Sequence, residues 1–180
     1  MSKRGRRELE SALVERALVR IHRRPKHSYR VDGFVVGVGS KWVLVARTMD
    51  GGYFDGHVTF RLRDVTSVTR DRSFESRFAA TQPEWPPSPP GVVDLTSTKR
   101  MLRTLAPTGP LIGIEKENER SAVWIGQVVD VRRGWVALHE VRPDARWRKK
   151  PLWYRVRAVT SASVGTHYLR GLAQIAGTRE

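Results

Sequence analysis

The chain has no cysteine among its 180 residues, which excludes disulfides and thiolate metal sites and suits a reducing compartment. It has no apolar run near the ~18 residues of a membrane span. The opening Met1-Ser-Lys-Arg-Gly-Arg-Arg-Glu is charged and is not followed by an apolar stretch of signal-peptide length. A cytoplasmic protein without membrane association is the expectation. Catalytic signatures are lacking too. His22, His27, His57, His139 and His167 show no His-x-His, His-x₃-His or Glu-x-x-His spacing, and there is no nucleophile elbow, phosphate-cradling loop or dinucleotide fingerprint. Asp50, Asp55 and Asp64 lie near Gly51, Gly52 and Gly56 and read as hairpin-turn residues rather than metal ligands. The chain is therefore read as non-enzymatic, with no catalytic residue, metal or cofactor.

What the chain does have is one pattern written twice. Gly33-Phe-Val-Val-Gly-Val-Gly-Ser-Lys-Trp42-Val43 returns, 93 residues later, as Gly126-Gln-Val-Val-Asp-Val-Arg-Arg-Gly-Trp135-Val136. The same offset relates Leu18-Val19-Arg20-Ile21 to Leu111-Ile112-Gly113-Ile114, and Ser28 to Ser121. Beyond the Trp strand the offset becomes 94: Val65-Thr66-Ser67 meets Val159-Thr160-Ser161, and Phe74 meets Tyr168. One residue gained within a hairpin loop explains the change, because loops absorb insertions. A register kept this long means an internal duplication, and a duplication fixes architecture before local propensities do.

Each copy reads as one helix followed by five short strands. The first has a helix at Arg6–Val14 and strands at Leu18–His22, Tyr29–Val38, Lys41–Thr48, His57–Leu62 and Thr66–Thr69, with a tight turn at 63–65. The second has a helix at Thr98–Ala106 and strands at Leu111–Lys116, Ser121–Val131, Gly134–Val141, Leu152–Arg157 and Val159–Ser163. Between them, Gln82–Gly91 holds five of the chain's ten prolines and reads as a stiff spacer. The domains are thus 1–80 with a basic N-terminal arm, a Pro-rich linker at 81–97, and 98–180. Trp42 and Trp135 open equivalent strands and are read as equivalent core residues, with Trp124 as further packing. Each copy is small enough that its own core is barely sufficient, so the copies are expected to pack together.

This order of a helix and five strongly bent strands, with a one-turn corner before the fifth, resembles the Sm-like small β-barrel, a relative of SH3-like barrels. The resemblance spans both copies. It implies a mainly β (α+β) fold of two tandem copies, each a short helix plus a five-stranded, strongly bent small β-barrel. The Sm signature is incomplete: Phe60-Arg61-Leu62-Arg63-Asp64 stands at the fourth-strand motif without its Gly, and the loop Asn is missing from both copies. The family's uridine-contacting residues are not carried over.

Charge points to a partner. The net charge is +15, made of +7 over residues 1–30, −1 over 31–95 and +9 over 96–180. So uneven a basic surface favours a polyanion. Within twelve residues, Arg146-Trp147-Arg148-Lys149-Lys150-Pro151-Leu152-Trp153-Tyr154-Arg155-Val156-Arg157 holds six cations and three aromatics. Cations neutralise phosphates while aromatic faces stack on bases. The candidate nucleic-acid-binding residues are Arg146, Trp147, Arg148, Lys149, Lys150, Arg155 and Arg157, with Arg132 and Arg133 at a neighbouring turn and Arg6 and Arg7 in the N-terminal arm. A non-enzymatic protein binding RNA or a single strand through the second barrel is the first reading. The alternative is a protein-interaction or assembly module that meets a partner, or itself, through barrel edges.

Overall fold

The computed structural model describes residues 3–24, 30–117 and 122–178. The expected strand starts at Tyr29 and Ser121, the Ser28/Ser121 match and His27 lie outside them. Within the described residues the first half comprises α1 (Lys3–Glu15), β1 (Leu18–Arg23), β2 (Val31–Val38), β3 (Trp42–Thr48), β4 (Phe54–Arg61), β5 (Val65–Arg70) and α2 (Phe74–Ala79). The second comprises α3 (Thr98–Leu105), β6 (Ile112–Lys116), β7 (Trp124–Arg132), β8 (Trp135–Glu140), β9 (Leu152–Arg155), β10 (Val159–Val164) and α4 (His167–Ala176). Two features differ from expectation. Each half ends in an additional helix, and the basic arm is the opening of α1, helical from Lys3.

The fold is mainly β. All ten strands join one antiparallel sheet in the order β5-β1-β2-β3-β4-β10-β6-β7-β8-β9. This corrects the expectation of two closed barrels: the sheet is open, with β5 and β9 at its edges. The reason lies at the middle. The outer edge of β4 is taken by β10 of the other half, through Phe60↔Ser161, Thr59↔Ala162, Val58↔Ser163 and His57↔Val164, rather than by a strand of its own half.

Register is repeated in detail. The bulge between Val35 and Gly37 on β2 recurs between Val128 and Asp130 on β7, at the same 93-residue offset. A 3-10 turn follows the fourth strand in both halves, at Leu62–Asp64 and Val156–Ala158. Gly33 and Gly126 recur because the facing strand runs too close for a side chain: a Cβ would collide with the carbonyl oxygen of Ala46 in one half and of His139 in the other.

Burial follows strand alternation. Val43 and Val45 of β3 join Leu9, Ala12, Val19, Ile21, Val35 and Phe60 in the core of the first half. The alternate residues Trp42 and Leu44 pack instead with Leu95 and with Met101, Leu102, Ile114, Val136 and Leu138 of the second half. β3 is therefore buried on both faces, and the linker supplies the cover. The Leu95 carbonyl accepts hydrogen bonds from the N–H groups of Lys41 (3.3 Å) and Trp42 (3.1 Å), and Trp85 packs edge-on against Phe34. The segment expected as a bare spacer is a lid over the first half's outer sheet face.

The matching face of β8 is covered only in part: Ala137 is buried, and His139 is buried with Trp147 edge-on against it at 5.7 Å. Val136 and Leu138 face the core, but Trp135, at the position of Trp42, is only partly buried, so the expected equivalence in burial does not hold. The sequence had already changed at this face: Phe34, Leu44 and Ala46 are matched by Gln127, Ala137 and His139. No helix among the described residues is long and apolar enough to cross a membrane.

Candidate nucleic-acid interface

Strand pairing assembles the exposed face. Arg132 of β7 lies opposite Trp135 of β8, which lies opposite Arg155 of β9; the next row on the same face is Asp130, Ala137 and Trp153. Antiparallel neighbours stand close enough for long side chains to touch, directly and diagonally. The Arg155 guanidinium stacks on the Trp135 ring at 3.8 Å, and that of Arg132 lies over Trp153 at 5.4 Å. Trp153 is 44% exposed, and the Arg132 side chain 65%. The tight turn joining β7 to β8 places Arg133 (φ 47°) and Gly134 (φ 80°) in the left-handed region, as a two-residue hairpin requires.

This patch runs into a basic groove at the same end of the sheet. Ser97, Thr98, Lys99, Gly134, Arg155, Arg157 and Lys41 line a depression of about 390 Å³. Lys41, Thr98 and Arg157 also line a neighbouring cavity of about 720 Å³, walled further by Ser40, Trp42, Arg61, Leu62, Arg63 and Glu117. Glu117 is the acid here. It accepts hydrogen bonds from Arg61 and from Arg63 (2.9 Å), and the Arg61 contact above all holds its carboxyl below the usual range. Burial raises the pKa of the nearby Asp64.

The expected site residues divide. Arg132, Arg133, Arg155 and Arg157 gather on or beside the open face. Lys149 and Lys150 are exposed where the chain enters β9. Arg148 is engaged elsewhere, pairing with Glu140 at 2.7 Å, and Arg146 is exposed beside Asp144 at 4.0 Å. Trp147 turns away from the cations: its indole N–H donates to the Ala176 carbonyl at 3.2 Å, and it packs against the cluster of Leu111, Val141, Leu169 and Leu172. Arg6 pairs with Glu10 at 2.8 Å and donates to the Gly39 carbonyl at 3.1 Å, so α1 serves the first half; Arg7 is exposed on the same helix.

Sequence reasoning counted Trp153 among the aromatics of the basic segment without naming it as a site residue, read Trp135 as core, and passed over Lys41, Arg61 and Arg63 as groove residues. The duplication carried the signal for the last two, because Arg61-x-Arg63 and Arg155-x-Arg157 share one register. For Trp135 the signal was the change of its neighbours on that face to Gln127, Ala137 and His139. Among the described residues no three His, Asp or Glu side chains gather as a metal site. Comparison with protein-family models, curated proteins and solved structures finds no match for the chain.

Proposed function

We propose that this is a non-enzymatic nucleic-acid-binding protein, built from two Sm-like halves, that takes RNA or another single strand on the open outer face of the second half. One observation carries the reading: two indoles, the partly exposed Trp135 and the exposed Trp153, each with a guanidinium against its ring, stand at the end of the sheet's outer face that continues into a groove of Lys and Arg. Indole and guanidinium planes stack on unpaired bases, while the groove cations meet the backbone phosphates. Duplex bases are already stacked and offer no free faces to such a surface. The strand order β5-β1-β2-β3-β4, repeated as β10-β6-β7-β8-β9, supports the Sm-like reading of each half.

The test is fluorescence anisotropy with labelled oligo(U), oligo(dT) and a matched duplex at three salt concentrations. Single strands are expected to bind more tightly than duplex. Replacing Arg132, Arg155 and Arg157 together by Ala is expected to flatten the log–log salt dependence by about 2, from ~0.7 per phosphate contact on single strands. Absence of saturable binding at low salt removes the proposal. The free strand edges β5 and β9 then favour the second reading, an assembly module.

A further inference from the structure

The sheet contains its own template for what covers a fourth strand. Inside the molecule β4 is covered by β10, and the junction is closed by charge: Glu117 accepts from Arg61 and Arg63, Arg61 also donates to the Arg157 carbonyl, and Arg23 donates to Glu115. The duplication gives this junction an outer counterpart, in which the free edge of β9 stands for β4 and the free edge of β5 for β10. Its register follows from the offsets: Tyr154 opposite Ser67, Trp153 opposite Val68, Leu152 opposite Thr69.

The charges at that outer counterpart do not complement one another. Arg155 and Arg157 correspond to Arg61 and Arg63. The position of Glu117 is held by Arg24, an equivalence that hydrogen bonding confirms: the Glu117 N–H donates to the Ala158 carbonyl at 2.8 Å, and the Arg24 N–H to the Asp64 carbonyl at 2.7 Å. Glu115 is matched by His22. A second copy arriving with its β5 against β9 would set Arg24 against Arg155 and Arg157. Like charges across an interface suppress a pairing that geometry permits. Meanwhile β9 remains an uncovered edge flanked by cations, with Leu152 38% and Trp153 44% exposed.

We propose that the free edge of β9 docks the edge strand of a different protein, one that brings a carboxylate to Arg155 and Arg157 as Glu117 does to Arg61 and Arg63, and that Arg24 bars a second copy of this chain from the site. The docked strand uses backbone groups along the edge, as in β-strand addition generally, and the carboxylate fixes its register. This goes beyond nucleic-acid binding and does not depend on it.

The test is sedimentation of the full chain at low salt without nucleic acid, with the chain's own charge-reversed variants as probes. Wild type is expected to sediment as one chain. Arg24→Glu gives the β5 edge the missing carboxylate, and its mass should at least double and fall back at high salt. Arg155→Glu with Arg157→Glu, against the unchanged Arg24, should associate likewise. Combining all three sets carboxylate against carboxylate and should restore the single chain. Thermal melts confirm that each variant is folded, and the two single-sided reversals are independent should one fail to fold. If folded single-sided reversals remain one chain at every concentration, the edge does not take a carboxylate-bearing strand and the proposal falls. If wild type already associates, a second copy is the occupant and the exclusion by Arg24 is wrong.

Discussion

The two halves share their register to the residue and part company on their outer sheet faces. In the first, linker residues Val93 and Leu95 and Trp85 lie over β2 and β3, and Trp42 is 1% exposed. In the second, the same face is covered at its far end, where Trp147 packs on the buried His139, but Trp135 is partly exposed and Arg155 stacks on it. The side chain is the same, its strand position is the same, and the partner beside it on the fourth strand is an arginine in both halves. What differs is whether a third layer covers that end of the strand. The repeat presents one surface twice, and the chain's own linker buries the Trp42 copy of it.

The sharpest way to break this comparison is to truncate the two tryptophans. Trp42→Ala is expected to cost about 3–5 kcal/mol of folding stability, the range for deleting a buried aromatic. Trp135→Ala should cost no more than about 1 kcal/mol, since a partly exposed position has less packing to lose. Urea denaturation of both variants gives the answer. Equal losses would mean that the second face is covered at Trp135 too, and the distinction between the halves would disappear.

A smaller effect sharpens the assignment within the second half. Trp153→Ala should weaken single-strand binding by roughly 1–3 kcal/mol, the loss of one stacked base, with stability nearly unchanged. Trp147→Ala should do the reverse: a loss of about 1–3 kcal/mol in stability, because the indole packs under α4, and unchanged affinity for the folded fraction. Anisotropy paired with a melt for each variant separates the roles. An affinity loss confined to Trp147→Ala would return the site to the hairpin preceding β9.

Much of this was legible in the sequence, and the limits have physical causes. The constant offset gave the repeated strand order and the strand positions within a few residues, because half-buried strands write their alternation plainly, as in Val43 and Val45. Closure was not legible. Whether β4 pairs within its half or with β10 depends on contacts about a hundred residues apart, and alternation is silent on that. The candidate site was half legible. Arg132, Arg133, Arg155 and Arg157 were marked by charge, but composition cannot say which indole of a basic segment faces solvent: Trp147, the expected one, is packed under α4, and Trp153 is the exposed one. Trp135 was hidden by the repeat itself: the shared register suggested that both tryptophans are core, although the neighbours Phe34, Leu44 and Ala46 give way to Gln127, Ala137 and His139 and the linker packs on Trp42.

The smallest expected effect concerns the charged junction that exists between the halves and has no acidic counterpart at the outer edge. Glu117 has its pKa lowered, chiefly by the Arg61 hydrogen bond. A carboxyl whose folded pKa is depressed adds stability that is fully present above its unfolded value, about 4.3 for glutamate, and is lost as pH falls through the folded pKa. Glu117→Gln is therefore expected to lower the melting temperature slightly at neutral pH, with a gap that stays constant down to about pH 5 and closes on further acidification. Asp64 shifts the other way through burial, but it is present in both proteins and moves mainly the shared baseline, with the Glu117 charge only one of its smaller causes. The side chain of Glu117 is 44% exposed, which keeps the effect small because solvent screens such pairs. Melts of the two proteins between pH 3 and 7 decide the matter. A gap that widens on acidification would show that the carboxylate destabilises the junction, and the inner contact would then no longer serve as the template for what β9 accepts.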